Sequence, residues 1–522
     1  MLGRLARRVD IGTPMLAQIQ TAALKGIEAF PVHVEVDVSF GLPVFAMVGL
    51  PDASVRESRD RVRAAIRNSG FDFPAHRITV NLAPADVRKA GAAFDLPIAL
   101  AILAASGVVP RPAPGSLAVV GELSLDGAVL PTRGVLPVAI GLHRQGVPAL
   151  LLPDGNAAEA AVVQALRVLP IRTLADAVAR LQQAPDAWVG VAVDPRAAAR
   201  EPGPDLAEVR GQALARRGLE IAAAGGHHML FVGPPGAGKT MLARRMPGLL
   251  PPLTFDEALE VTAIHSVAGA LPPGGTLIEA RPFRAPHHTA SDAALVGGGT
   301  QPRPGDITLA HHGVLFLDEL PEFGRRALEA LRQPLEEGVV RIARASGTVD
   351  FPAAFTLVAA MNPCPCGYTG HPVRPCRCTP AAVMRYHERV SGPLRDRLDL
   401  TVELAPVPFD ALAGPADGEP SSVVQARVAA ARARQRARGA LTGVTVNGRV
   451  GPAHLSRIAA LDLEGAALLA TAASRLSLSS RAVHRTLRVA RTIADLAGHE
   501  TVAADDLAEA LQFRAAVTPA AP

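Results

Sequence analysis

The sequence predicts an α/β protein of several domains that ends in a small helical one, and three observations carry that expectation. At 522 residues the chain exceeds what a single hydrophobic core usually serves, so roughly two to four domains are expected. Short β-like runs alternate with helical stretches through most of the length. From Ser421 to Ala515 the pattern is almost wholly helical and rich in alanine and arginine. A composition of 49% hydrophobic and 19% charged residues is that of a folded chain and excludes a largely disordered one.

Taken in order, Ala17 to about Leu181 alternates strands such as Val32–Val38 and Arg77–Leu82 with helices such as Ser54–Asn68 and Asn156–Ala165. That is one compact α/β unit. Between Gln182 and Pro204 periodicity fades, and Glu201, Pro202, Gly203 and Pro204 mark a break. The expected organisation is residues 1–182, a linker at 183–204, a second α/β domain at 205–412 and a helical domain at 413–522. The longest apolar stretch, Leu96–Ala105, is about half of what a membrane span requires. Met1–Ala23 carries arginines but no apolar segment with a small-residue cleavage site. No membrane span or secretory leader is read, and a cytoplasmic location is the default. The formal charge is +5, supplied mostly by arginine. The run Arg427, Arg432, Arg434, Arg436 and Arg438 fits nucleic-acid contact or the solvated face of a helix equally well.

The chemistry sits in the second domain. The apolar run His228–Val232 leads into Gly233, Pro234, Pro235, Gly236, Ala237, Gly238, Lys239 and Thr240, followed by the helical Met241–Met246. Strand, glycine-rich loop and helix in that order form a phosphate-binding loop. Its glycines let backbone N–H groups close around phosphates, Lys239 reaches the β and γ oxygens, and Thr240 offers a hydroxyl to Mg²⁺. Val314–Leu317 then ends in Asp318 and Glu319 and reads as a neighbouring strand of the same sheet. Beside such a loop, Asp318 holds Mg²⁺ through water and Glu319 polarises the attacking water. A third strand, Phe355–Met361, ends at Asn362, which can contact the γ-phosphate if its strand lies beside the other two. Arginines at Arg397 and Arg481 could bring positive charge to a nucleotide or could form surface salt bridges.

The four cysteines of the chain fall within fifteen residues, at Cys364, Cys366, Cys376 and Cys378. Four thiolates at this spacing can make a closed tetrahedral Zn²⁺ site, structural because no position is left for water. Reduced thiols are the alternative, and a disulfide is disfavoured by the expected compartment.

Together, Gly233–Thr240, Arg281–His288, Asp318-Glu319, Met361–Gly367 and the helix Arg481–Leu496 resemble the magnesium-chelatase-like AAA+ proteins, and within them the YifB/ComM subfamily. The resemblance covers almost the whole chain. It implies a Lon/S5-like N-terminal α/β domain, a P-loop AAA+ αβα domain and a C-terminal helical lid. It further implies ATP and Mg²⁺ as cofactors, Asn362 as the sensor-1 residue, Arg397 as the arginine finger acting on a neighbouring subunit, and Arg481 as the sensor-2 arginine. Arg395 departs from the leucine usual before the Asp-Arg pair. Such fingers imply a ring, a hexamer. Members of the ComM type are understood as motors for DNA branch migration during natural transformation, which implies single-stranded or branched DNA as partner. A chelatase-type motor that remodels a protein for metal insertion is the alternative. Arg281, Arg284, His287 and His288 fall where the family's extra loop would either contact DNA phosphates or pack against the ring.

Likeness to Lon raises the question of proteolysis, which needs a serine activated by a lysine. Ala93 stands where the serine aligns, and Leu136 stands where the lysine aligns. The N-terminal domain is therefore expected to be a scaffold or binding module without a catalytic dyad.

Overall fold

The computed structural model describes residues 16–85, 89, 91–192, 203–272, 274–299, 302–344, 347–407 and 414–514. The early arginines of Met1–Ala23, most of the linker (193–202) and the 412/413 boundary lie outside the described residues. The chain divides into two compact units, one of residues 1–199 with 258–278 and the other of residues 200–257 with 279–522.

In the first unit, seven strands form one mixed sheet: β1 (Leu16–Lys25), β2 (Glu28–Ser39), β3 (Phe45–Val48), β4 (Arg77–Ala83), β5 (Ala118–Val119), β6 (Ala149–Pro153) and β7 (Arg167–Ile171). Their spatial order is β3-β4-β2-β1-β5-β6-β7. In β2 the alternate residues Val32, Val34, Val36 and Val38 are buried, the period-two pattern of a half-buried strand. Antiparallel pairing with β1 extends that strand before the apolar run, and pairing with β4 carries it on to Ser39. Helix α1 (Ala53–Asn68) begins at Asp52, whose carboxylate accepts the Val55 N–H at 2.9 Å. The apolar run Leu96–Ala105 becomes α2 (Asp95–Ala105), every residue of which is buried against β1 and β2. Its first residue, Asp95, is fully buried but paired with Arg61, Nε to Oδ2 at 2.7 Å and Nη2 to Oδ1 at 3.0 Å.

Ala93 lies in a single 3₁₀ turn, and Leu136 is fully buried in α3 (Val135–Arg144). The predicted helix Asn156–Ala165 shrinks to Ala157–Ala160. Asn156 is occupied with Thr132, accepting its N–H and donating to its carbonyl, both at 2.9 Å, and the chain must turn at once to enter β7. The stretch 258–278 is fastened to this unit by Ser266, whose hydroxyl donates to buried Glu159 at 2.8 Å.

The second unit has a sheet of five parallel strands. The elements that matter, in chain order, are α4 (Ala213–Gly225), β8 (Met229–Val232), α5 (Lys239–Ala243), β9 (Phe283–Arg284), β10 (Val314–Leu317), the hairpin β11 (Val339–Arg344) and β12 (Gly347–Pro352), β13 (Thr356–Met361), α6 (Pro380–Glu388) and β14 (Leu400–Glu403). The helical tail follows as α7 (Ser421–Thr442), α8 (Leu463–Arg475), α9 (Ser480–Ala497) and α10 (Ala504–Gln512). The sheet order is β9-β10-β13-β8-β14. The acid-bearing strand β10 is thus not the neighbour of the phosphate-loop strand β8, because β13 lies between them and pairs with both. All residues of β8, β10 and β13 are buried, so continuous apolar runs replace alternation, as in a parallel sheet covered on both faces.

Most of the arginine run of α7 is engaged by the protein itself, while Arg434 and Arg436 remain exposed. Arg427 pairs with Glu220 at 2.6 Å and Glu419 at 2.7 Å, Arg432 donates to the Ala223 carbonyl at 2.8 Å, and Arg434 donates to the Asp495 carbonyl at 2.6 Å. Burial pushes the Arg432 guanidinium down to about 9. These contacts fasten α7 to α4 and α9. A buried polar network joins the same helices to the sheet. His227 meets Asp399 at 3.1 Å and Thr492 at 2.8 Å, and Asn447 donates to Thr492 at 3.1 Å and to Asp495 at 2.8 Å.

Beside it, His228 Nδ1 accepts the Leu357 N–H at 3.0 Å, which requires a neutral ring. Burial pushes this imidazole down from 6.5 to about 4. The stability tied to the neutral ring is complete above the unfolded value and is lost as the pH falls through the folded one. It amounts to at most about 3 kcal/mol, less where solvent reaches the half-buried residue. Urea unfolding of the wild type should therefore weaken between pH 7 and pH 4 more steeply than that of His228→Gln; equal slopes would remove His228 as a cause.

Candidate nucleotide site

The loop between β8 and α5 turns back on itself through Gly236 and Gly238, at φ +82° and +90°, conformations that side chains with a Cβ rarely adopt. Gly233 passes so close to Leu404 that a Cβ would lie 2.7 Å from its carbonyl oxygen. The loop therefore curls over the C-terminal end of the parallel sheet, the place where such sheets receive ligands. Lys239, at the first turn of α5, is buried. Its ammonium donates to the carbonyls of Gly233 at 2.6 Å and Pro234 at 3.0 Å, and to Asn362 Oδ1 at 3.0 Å. Burial lowers its pKa, while Asp318 and Glu319 work in the opposite direction.

Because β13 stands between β8 and β10, the three strand ends bring their polar residues to one point. Thr240 Oγ1 donates to Asp318 Oδ2 at 2.6 Å, and Asp318 Oδ1 accepts the Glu319 N–H at 2.9 Å. Adjacent oxygens of an octahedral Mg²⁺ shell stand about 2.9 Å apart, so this hydroxyl and carboxylate suit that ion. Glu319 itself adopts the left-handed conformation at φ +52°, which throws its carboxylate out of the strand into the open. Lys239, Thr240, Asp318, Glu319 and Asn362 are thus brought together.

Two of the anticipated arginines lie apart from that point. Arg397 donates to Glu336 and to the Pro393 carbonyl. Burial lowers its pKa, followed by the charges of Arg332 and Arg481, which places these three cations near one another. Arg481 is exposed on the first turn of α9, a helix capped by Ser479, whose side chain accepts the Ala482 N–H at 3.2 Å. Arg395 is spent on backbone, on the carbonyls of His387 and of Val390 at 3.0 Å, so of the two neighbouring arginines only Arg397 holds a carboxylate partner.

The stretch Arg281–His288 divides between packing and the site. Arg281 donates to the carbonyls of Pro251 at 2.6 Å and His312 at 2.7 Å, and pairs with Glu257 at 3.1 Å. Arg284 grips Asp306 at 2.9 and 2.5 Å. Both hold the loop down. His287 turns to Thr289 at 2.8 Å, but His288 Nδ1 meets Glu319 Oε2 at 3.0 Å. That contact was not foreseen from the sequence, although Pro286-His287-His288 follows a strand ending at the same sheet edge as the acids. Equally unforeseen is the support for Asn362 from α6. Tyr386 bonds to the Asn362 backbone, its phenol pushed up to about 12 chiefly by burial, and His387 Nε2 donates to the Pro363 carbonyl at 2.9 Å.

The four cysteines do converge. Their sulfurs all lie within 4.8 Å of one another. Cys364 stands 3.3 Å from Cys366 and 3.7 Å from Cys376, and Cys366 stands 3.6 Å from Cys376. These are not disulfide distances. The backbone N–H groups of Arg377 and Tyr368 pull the Cys366 thiol down to about 6.

Comparison with known proteins agrees with this architecture. Residues 205–412 match the family Magnesium chelatase, subunit ChlI; residues 34–156 match Subunit ChlI of Mg-chelatase; residues 418–514 match Magnesium chelatase, subunit ChlI C-terminal. The chain is similar to the competence protein ComM of Haemophilus influenzae, 45% identical over 508 residues, 96% of this chain and 98% of that protein. It is also similar to YifB of Escherichia coli, 44% identical over 502 residues, 96% of this chain and 97% of that protein. A protein of Mycobacterium tuberculosis is 46% identical over 504 residues, with coverage of 96% and 98%. Lon protease 1 of Sorangium cellulosum is 29% identical over 189 residues, 34% of this chain and 23% of its own length. A Lon/S5-like α/β domain, a P-loop αβα domain and a helical C-terminal domain are thus joined in one chain. With relatives of that identity along nearly its whole length, the chain belongs to the YifB/ComM subfamily of magnesium-chelatase-like AAA+ ATPases.

Proposed function

We propose that the protein is a ring-forming, ATP-driven motor on DNA, a hexamer that couples hydrolysis to branch migration or unwinding, as in recombination during natural transformation. The observation that carries the reading is full-length similarity to a competence protein in a chain whose P-loop, paired acids and Asn362 meet at one point. In this reading Gly233–Thr240 cradle the phosphates of ATP, and Lys239 leaves its carbonyl partners for the β and γ oxygens. Thr240 and Asp318 hold Mg²⁺, which when bound draws charge from those phosphates. Glu319 orients and polarises the attacking water, and Asn362 holds that water or the γ-phosphate. Arg397 exchanges Glu336 for the nucleotide of a neighbouring subunit, and Arg481 reaches the nucleotide from the lid. The four cysteines hold a structural Zn²⁺. In this reading Arg427 and Arg432 of α7 serve the packing of the helical tail.

A second reading, a chelatase-type motor that remodels a protein partner for metal insertion, is favoured by the three magnesium-chelatase family matches. The N-terminal Lon-like domain does not choose between the two readings, since the same stretch matches the family described as Subunit ChlI of Mg-chelatase. The two readings part on one measurement, ATP turnover with and without single-stranded, duplex and branched DNA at two salt concentrations. The DNA motor is expected to be stimulated, with the stimulation falling as salt rises. Turnover indifferent to every DNA would transfer the reading to the chelatase type.

A further inference from the structure

The cysteine cluster is joined to the nucleotide site by a contact that neither motif announces. Gly367, between the second and third cysteines, sits at φ +84°, and a Cβ there would lie 2.6 Å from Pro235 Cδ and 2.9 Å from its Cγ. Its backbone therefore rests directly on the middle of the phosphate loop. The same virtual Cβ is 3.8 Å from Asn362 Cγ. Asn362 is separated from Cys364 only by Pro363, and Asn362 accepts from Lys239. The loop thus touches the phosphate loop at Pro235 and reaches Lys239 through Asn362.

What holds the loop in that shape is the convergence of the thiols. The sulfurs of Cys364, Cys366 and Cys376 stand 3.3–3.7 Å apart. A tetrahedral Zn²⁺ with bonds of about 2.3 Å sets its sulfurs about 3.8 Å apart. Hydrogen-bond donors are already aimed at the sulfurs. The Thr369 N–H reaches Cys364 at 3.3 Å, the Thr369 hydroxyl reaches Cys376 at 3.1 Å, and the Cys378 N–H reaches Cys376 at 3.4 Å. Such donors orient a ligating sulfur. The loop between Cys366 and Cys376 has few buried apolar residues of its own to hold its shape.

We propose that Zn²⁺ bound by Cys364, Cys366, Cys376 and Cys378 makes this loop a strut that sets Pro235 and Asn362, so that nucleotide affinity depends on the metal. The proposal rests on reading Gly233–Thr240 as the ATP site. Zinc acts at a distance, through Gly367, and takes no part in hydrolysis.

The test uses the full-length protein with MgCl₂, metal analysis by atomic emission, and a fluorescent N-methylanthraniloyl ATP as probe. The expected result is one zinc per wild-type chain, with the probe bound at least tenfold more weakly by the Cys366→Ser/Cys378→Ser double variant. Gly367→Ala is expected to keep its zinc and still bind the probe several-fold more weakly, since its methyl group displaces Pro235 while all four ligands remain. Retention of zinc in that variant reports a folded loop and separates strut from ligand loss. Purified wild type that holds no zinc and takes none up, or that holds iron instead, overturns the metal assignment. Zinc-free protein with unchanged probe affinity, or zinc-loaded Gly367→Ala that binds as the wild type does, overturns the coupling. Zinc-loaded wild type that does not bind the probe at all overturns the underlying nucleotide reading instead.

Discussion

Glu319→Gln protein is expected to bind ATP as the wild type does and to turn it over at least about a hundredfold more slowly, the lower end of what loss of a positioned base costs. The amide fills the same space, so binding is spared; it has no negative charge with which to polarise water. Asp318, one residue earlier, is tied to Thr240 at 2.6 Å and to the Glu319 N–H at 2.9 Å, leaving the exposed Glu319 as the carboxylate directed at the open side of the site. Single-turnover phosphate release measured beside equilibrium nucleotide binding separates the two effects. Unchanged turnover would falsify the assignment of Glu319. His288, 3.0 Å from that carboxylate, serves as the companion variant. His288→Ala removes a restraint on Glu319 and not the base itself, so its effect on turnover should be much smaller than that of Glu319→Gln.

The largest loss of stability is expected at Asp495. This carboxylate is fully buried on α9 and pairs with Arg491 at 3.0 Å, with Arg438 at 2.8 Å through Nη1, and with Asn447 at 2.8 Å. Arg491, itself 1% exposed, donates onward to the carbonyls of Glu500 at 2.7 Å and His499 at 2.5 Å. Asp495→Ala leaves two guanidinium groups without their counter-charge in the interior, which costs about 3–5 kcal/mol when one member of a buried ion pair is removed. Asp495→Asn keeps the shape and part of the hydrogen bonding, and should cost about 1–3 kcal/mol. Guanidinium chloride unfolding followed by circular dichroism gives both values. A loss below about 1 kcal/mol for the alanine variant would mean that apolar packing, not this network, holds the helical tail together.

Much of the site is legible in the sequence because its chemistry is local. The order strand, glycine loop, lysine and threonine occupies consecutive residues, and Gly236 and Gly238 need left-handed backbone whatever surrounds them. The cysteines occupy fifteen residues, so short turns suffice to gather their sulfurs. Apolar runs such as Val314–Leu317 mark buried strands because only continuous burial tolerates them. Alanine-rich periodicity over Asn156–Ala165 overstates the helix, because it says nothing of the turn that β7 imposes.

Local pattern thus determined which elements form and which residue types carry phosphate, acid and metal chemistry, since propensity, turn geometry and spacing act over a few residues. Only the tertiary structure decided that β13 separates β8 from β10 and so puts Asn362 between Lys239 and the acids, because strand order in a parallel sheet is set by crossover packing. Only the fold turned the arginines of α7 toward Glu220, Ala223 and Asp495, aimed His288 at Glu319 and laid Gly367 on Pro235. Each of these contacts joins residues far apart in the chain, and their direction depends on which helix face is covered, a quantity that a one-dimensional pattern of charge and hydrophobicity does not contain.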